Sequence, residues 1–375
     1  MKLESVGNVD ARRPDQFGER PGAPVRPRYA GLPSPASRET GGVALVAALL
    51  LANPALAQTP EAFWRGKSID LVISSGVGGG YDAYSRLIAQ HMERHIPGNP
   101  RVVPKNMVGA GGFVAANYLA NVAPRDGTVI GQVQNTVPFD PLFGKAGAQF
   151  DALKLNYLGS ANSETALVFT WHASPTKTFR DLQERETVMA VAAGSISAFH
   201  AAAMNDLAGA KIRVVAGYPG GNEGLLAMER GEVEGHPTIF WSTLKSTKPE
   251  WIEQKKLNLL VQFALKKHPE LPDVPLIGEF TPEGEARQTI ELMAMSLVPG
   301  RPFIAPPGVP RDRIEVLRGA LMATLRDPAF LAEATRRQME IDAVGGEEVE
   351  NLMKTAWAMP PGVVRRVARY MNPEK

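Results

Sequence analysis

The run "SSGVGGGYD" places glycines at 76, 78, 79 and 80 between an apolar segment and a helical pattern. Backbone without side chains lets a bound group approach closely. The N–H groups of such a loop, together with the N-terminus of the helix behind it, suit an anion. The candidate contacts are Gly78, Gly79, Gly80, Tyr81 and Asp82. Asp82 is the odd member, because an acid repels a neighbouring anion. It either caps the helix or reads an ammonium or hydroxyl group on the ligand. A second loop, "AAGSISAFHAAAM", offers Ser195, Ser197 and His200, with the serines either capping a helix or donating to a ligand oxygen. A third, "GYPGGNEG", offers Tyr218, Gly220 and Gly221; Tyr218 either walls the ligand or braces its own loop. Asn135, at the exit of a strand, joins the candidate set.

Other chemistries fit these residues less well. A dinucleotide fingerprint needs glycine at 81, where Tyr81 stands, and an acid about 20 residues on at a strand end, which is absent. The glycine loop at 76–80 does not run into the Gly-Lys-Ser/Thr of a phosphate-binding loop. His91 and His95 are four apart on a helix and could ligate zinc. The order H-x-E-x-H is not that of a zinc protease, and a solvated helix face is the expectation. Ser197 and His200 lack the spacing of a nucleophile elbow. No catalytic residue, metal site or cofactor is expected.

One helix N-terminus contributes only ~0.3–1 kcal/mol to a carboxylate, up to ~2 when partly buried. Micromolar affinity needs roughly 8 kcal/mol. Several charge-assisted hydrogen bonds of ~1.5–3 kcal/mol each, from loops on both sides of a water-poor cleft, could supply it.

The elements that position these loops alternate. Apolar strand patterns at 68–74, 101–107, 128–134, 187–193, 212–218 and 257–265 are separated by loops and helical stripes. Tyr84, Leu87, Ile88, Met92 and Ile96 form one such stripe. Strands alternating with helices imply α/β domains with parallel sheets covered on both faces. In open sheets of this kind ligands bind beyond the carboxyl ends of the strands. The expected division is a leader at 1–57, a first domain from 58–163 and 266–375, and a second from 164–265. The C-terminal helices are expected to pack back on the first domain.

With 375 residues the chain is long enough for two cores. Its net charge of +2 gives no field for nucleic acid. The run "VALVAALLLA" is too short to span a bilayer, which takes about 20 residues. With Arg38 before it and "ALA" after it, it reads as a secretory signal cleaved near Ala57–Gln58. The long region before it suggests a true translation start downstream of Met1. Beyond Ala57, basic and acidic residues are equal in number. There is no cysteine, hence neither a disulfide nor a lipid-anchoring thiol. A periplasmic location follows as the expectation.

The motifs "GGGYD", "KNMVGAGG", "APRDGTVIG", "GSISAFH", "GYPGGNEGLLAMERGEVEG", "KKHPELPDVP" and "RPFIAPPGVP" occur in a recognisable order. Over nearly all of the chain after Ala57, the sequence resembles the periplasmic substrate-binding receptors of tripartite tricarboxylate transporters, the Bug-type receptors. The resemblance implies a type II periplasmic-binding-protein fold, α/β, with two parallel or mixed-sheet domains that close on a ligand cleft. It implies a small organic anion as ligand, one carboxylate being held by backbone amides of the first glycine loop and of the loop with Ser195 and Ser197. Two membrane subunits would receive the ligand. The sequence departs from the family at the second loop, where Ile196, Ala198 and Phe199 replace hydroxyl residues. Pro219 replaces a lysine, and Thr238 stands for a common aspartate. These changes suggest a ligand less polar than citrate. A monomeric solute-binding receptor is the favoured expectation. The alternatives are a sensor protein that docks on a membrane kinase, and a periplasmic enzyme acting on a carboxylate.

Overall fold

A computed structural model describes residues 59–192, 195–218 and 221–371. The leader, the signal segment and its cleavage point lie outside these, as does Gly220. Helix α1 (Pro60–Trp64) leads into β1 (Ser68–Ile73), α2 (Gly80–Met92), β2 (Arg101–Asn106), α3 (Phe113–Asn121), β3 (Val129–Gln132) and β4 (Asn156–Ser160). Then follow β5 (Ala166–Trp171), α4 (Phe179–Glu184), β6 (Thr187–Ala192), α5 (Ile196–Leu207), β7 (Ile212–Tyr218), α6 (Gly221–Glu229) and β8 (Gly235–Phe240). Helices α7 (Trp241–Thr247) and α8 (Pro249–Glu253) precede β9 (Leu257–Phe263) and α9 (Glu285–Met295). The chain ends with β10 (Pro302–Ala305), α10 (Arg311–Arg326), α11 (Pro328–Arg336), β11 (Val344–Gly345), α12 (Gly346–Trp357) and α13 (Pro361–Met371).

These strands form two sheets, ordered β11-β4-β10-β3-β1-β2 and β7-β6-β8-β5-β9. Both are mixed. β1 pairs parallel with β2 and β3, while β10 runs antiparallel to β3 and β4. β6 pairs parallel with β7, and β5 runs antiparallel to β8 and β9. Every strand read from the sequence is present, most of them shorter. The strands not anticipated are β4, β5, β8, β10 and β11. β10 begins at Pro302, where a missing N–H costs a strand least.

The chain crosses between the sheets twice, at 161–165 and between β9 and β10. The two crossings touch. The Gly300 amide donates to the Asn162 carbonyl at 3.0 Å, and the Ala161 amide to the Arg301 carbonyl at 3.2 Å. A Cβ on Gly300 would lie 2.7 Å from Asn162 Oδ1 and 2.8 Å from Glu164 Cγ, so only glycine permits this approach.

Packing follows the apolar stripes. Leu87, Ile88 and Met92 of α2 are buried in one cluster with Ile314, Leu317 and Leu321 of α10. A second cluster is continuous between the sheets, joining Leu119, Phe143, Met204, Leu207, Met293 and Val367. Helices α9 and α13 thus pack against α5, which follows β6 of the second sheet. Arg366 and Tyr370 of α13 both bond the Asp206 carboxylate on α5.

The helix face carrying His91 and His95 is not simply solvated. His91 is buried; its Nε2 lies 3.0 Å from Glu333 and its Nδ1 takes a hydrogen bond from Arg94. His95 Nε2 lies 2.9 Å from Asp327, the residue that caps α11. His91 therefore ties α2, and His95 the turn that follows it, to α11. Among the described residues no group of three or more ligating side chains assembles, and no helix is long and apolar enough to cross a membrane.

Candidate functional site

The glycine loop leaves β1 and enters α2 with Gly79 as the N-cap. Gly78 needs φ of +84°, which favours glycine. Gly76 through Gly80 are exposed. The first internal bond of the helix runs from the Ala83 amide to the Gly79 carbonyl. The amides of Gly80, Tyr81 and Asp82 therefore have no acceptor among the described residues.

Asp82 is engaged inside the loop. Its carboxylate accepts from the Gly78 amide at 2.9 Å, from Arg86 Nε at 2.9 Å and from Asn106 Nδ2 at 2.8 Å. Asn106 Nδ2 also donates to the Ser75 carbonyl. The Arg86 hydrogen bonds foremost hold the Asp82 carboxyl down to about 2, against the penalty of burial. Asp82 therefore braces the loop as an ion, and the Gly78 amide is spent on it. Asp82→Asn is expected to cost about 1–2 kcal/mol in urea unfolding, because charge-assisted bonds become neutral ones. Carboxylate affinity should fall with it. Unchanged stability with selective loss of amino-acid binding would instead mean that Asp82 reads a ligand ammonium.

Tyr81 joins the loop to a cavity. Its hydroxyl donates to Asn135 Oδ1 at 3.0 Å and accepts from the Asn135 amide at 3.1 Å. Asn135 is buried, and its Nδ2 donates to the Ser296 carbonyl at 3.0 Å. Asn135 and Ser296 line a cavity of about 290 Å³. Its apolar wall is Phe139, Phe143, Ile196, Phe199, Phe240 and Met293. Lys145 is the cation in the lining, with Asp140 at 3.4 Å from its Nζ. The wall draws on loops after β3, on the first turns of α5, on β8 and on α9, so it lies between the two sheets.

At the α5 end, Ser195 is the N-cap and its side chain accepts from the Ala198 amide. The amides of Ile196 and Ser197 have no acceptor among the described residues. Ser197 is buried and donates its hydroxyl to the Thr238 carbonyl at 2.8 Å, so it fastens α5 to β8. His200 lines the cavity, stacks on Phe263 at 3.8 Å and 9°, and meets Thr238 Oγ1 through Nδ1 at 3.0 Å. Burial holds the His200 pKa down to about 3, so the ring is neutral.

The candidates therefore fall into two groups. Asn135 and His200 line the cavity, Tyr81 and Thr238 bond to these two, Ser197 bonds to Thr238, and Ser195 caps the helix whose first residue is in the wall. Gly78, Gly79, Gly80 and Ser195 are not in its wall. Tyr218 is half-buried against the core of the second sheet with Ile239, and Gly221 is exposed at the start of α6.

Two residues were not anticipated. Arg301 lies with its guanidinium 4.4 Å above the Tyr81 ring and 5.2 Å from Tyr84, close behind Gly80. It pairs at 3.3 Å with Glu164, which is buried and also accepts from Ser242 and Asn162. Burial raises the Glu164 pKa, with Arg301 opposing it. The two belong to different crossing segments, and no local pattern joins them.

The family model described as TctC, tripartite tricarboxylate transporter family receptor, matches residues 85–359. A protein of Cupriavidus necator, named as a UPF0065 protein in the gbd 5′ region, is 27% identical over 313 residues; the match takes in 80% of this chain and 87% of that protein. Among solved structures, a TctC solute-binding protein from Polaromonas without ligand aligns with a TM-score of 0.65 at 18% identity, over 80% of this chain and 99% of that one. An R. palustris protein solved with adipate aligns with a TM-score of 0.56 at 20% identity, over 81% and 98%. Both share the two-sheet fold.

Proposed function

The chain belongs to the tripartite tricarboxylate transporter receptor family of solute-binding proteins, and from that premise we propose that it captures a small organic carboxylate in the space between its two sheets. The observation that carries this reading is an apolar cavity whose wall takes in the start of α5, where the Ile196 and Ser197 amides have no acceptor among the described residues, and Asn135, which Tyr81 at the start of α2 holds. Main-chain amides at helix starts bind anions without needing a side-chain cation. Lys145 in the lining adds positive charge. The adipate in the R. palustris neighbour supports an acid with an apolar middle.

In this reading, residues 58–163 with 266–375, and residues 164–265, are lobes that close about the two crossings. The protein acts outside the cytoplasm after removal of its leader, and passes its ligand to the membrane subunits of a tripartite transporter. Binding and handover require no catalytic group.

The test is thermal unfolding against citrate, malate, adipate, hexanoate, benzoate and 3-phenylpropanoate. A ligand at 100 times its Kd adds ~2.7 kcal/mol, a rise in Tm of roughly 5 °C for a chain this size. Hexanoate or 3-phenylpropanoate is expected to shift Tm more than citrate, because the wall is apolar. A panel in which no acid moves Tm overturns the carboxylate reading.

A further inference from the structure

Resting on the carboxylate reading above, we propose that the ligand is an acid with an apolar body that also carries a hydrogen-bond donor, a hydroxyl or N–H, given up to Nε2 of His200.

Two side chains of the cavity wall, His200 and Ser296, have spent their donors and kept acceptors. The Thr238 hydroxyl donates to the Pro237 carbonyl, so towards His200 it is an acceptor. This assigns the ring proton to Nδ1 and leaves Nε2 as a bare lone pair. Among the described residues Nε2 has no hydrogen-bond partner, although the residue is 1% exposed and forms part of the cavity wall. The ring cannot turn to find one, since it is stacked flat on Phe263 and held by Thr238. Ser296, also in the wall and buried, donates its hydroxyl to the Met293 carbonyl at 2.8 Å and likewise offers only lone pairs.

Protonation does not rescue the ring, because burial among Phe263 and its neighbours keeps it neutral at ordinary pH. A carboxylate against two acceptors is repelled, so the charged end of the ligand belongs at the free amides or near Lys145. An apolar group against His200 leaves a buried acceptor unsatisfied, which disfavours it. A donor on the ligand body satisfies both constraints. Gln134 and Thr136, half-buried in the same wall, adapt to either polarity.

The experiment compares matched acids by calorimetry. One series is 3-phenylpropanoate with a hydroxyl or a methoxy group at each ring position. The other is hexanoate with a terminal hydroxyl or methoxy group. The methoxy group keeps the oxygen and removes the donor. In the wild type, the best hydroxy acid is expected to bind about tenfold or more tightly than its methoxy partner, as sites built around a hydrogen bond discriminate. In His200→Phe, which keeps a flat ring on Phe263 but has no acceptor, that ratio should collapse towards one. Acids that bind the wild type with a hydroxy-to-methoxy ratio near one overturn this inference and leave the carboxylate reading standing. A folded His200→Phe protein that keeps the wild-type ratio overturns it equally. If no acid in either series or in the earlier panel binds, both readings fall together.

Discussion

Taking the protein from about pH 7 to about pH 4.5 is expected to remove roughly 5 kcal/mol of its stability, before most carboxylates titrate. The cause is two histidines folded as neutral rings. Burial holds His200 down to about 3 and His236 down to about 4, from an ordinary value of 6.5. The folded values are depressed, so the unfolded chain binds more protons below pH 6.5. Stability is therefore complete above 6.5 and is lost as pH falls towards the folded values. Two units below 6.5, each ring costs roughly 2.5 kcal/mol, at about 1.36 kcal/mol per unit. Asp82, held at about 2, begins to contribute only below its ordinary 3.8, outside this window. Glu164, with its pKa raised, works in the opposite direction. Urea unfolding at the two pH values measures the loss. The double variant His200→Gln, His236→Gln should be weaker at pH 7 and nearly flat with pH. A double variant that keeps the whole loss would place its origin elsewhere.

Arg301→Leu is the second large effect, about 3 kcal/mol at pH 7.5. Removing one partner of a buried ion pair costs about 3–5 kcal/mol, because the other charge is stranded. The Arg301 side chain is 12% exposed and that of Glu164 1%, which places the cost near the lower bound. Glu164 keeps bonds from Ser242 and Asn162 but loses its only cation in that pairing. Without Arg301, burial is opposed only by the Ser242 and Asn162 bonds and the Glu164 pKa rises further. The folded protein then holds a proton that the unfolded chain lacks, so stability declines as pH rises through that raised value. The deficit of Arg301→Leu should accordingly be smaller at pH 5 than at pH 7.5, and adding Glu164→Gln should recover part of it. A deficit independent of pH would show that the loss is one of packing over Tyr81 and Tyr84. Arg301 also lies behind the free amides of α2, so the same variant is expected to weaken carboxylate binding.

Local patterns carried much of this protein. The strand-to-glycine-to-helix passage at 73–80 was legible because an apolar run, the positive-φ Gly78 and a glycine cap act within a few residues of one another. Ser195 caps α5 for the same reason. The apolar periodicity of α2 located its buried face. What the sequence could not decide is which donors and charges remain free once folded. The Gly78 amide is spent on Asp82 through a bond that Arg86 and Asn106 share, and Ser197 is spent on Thr238, 41 residues away. The acceptor character of His200 follows from Thr238 and Pro237, and the charge behind the glycine loop from Arg301 and Glu164 in two separate crossings. Hydrogen bonds and ion pairs form between groups close in space whatever their separation in the chain. Only Asp82 with Gly78 and Arg86, and Thr238 with Pro237, lie within local reach; the other partners leave no period or spacing to read, and tertiary packing chose them.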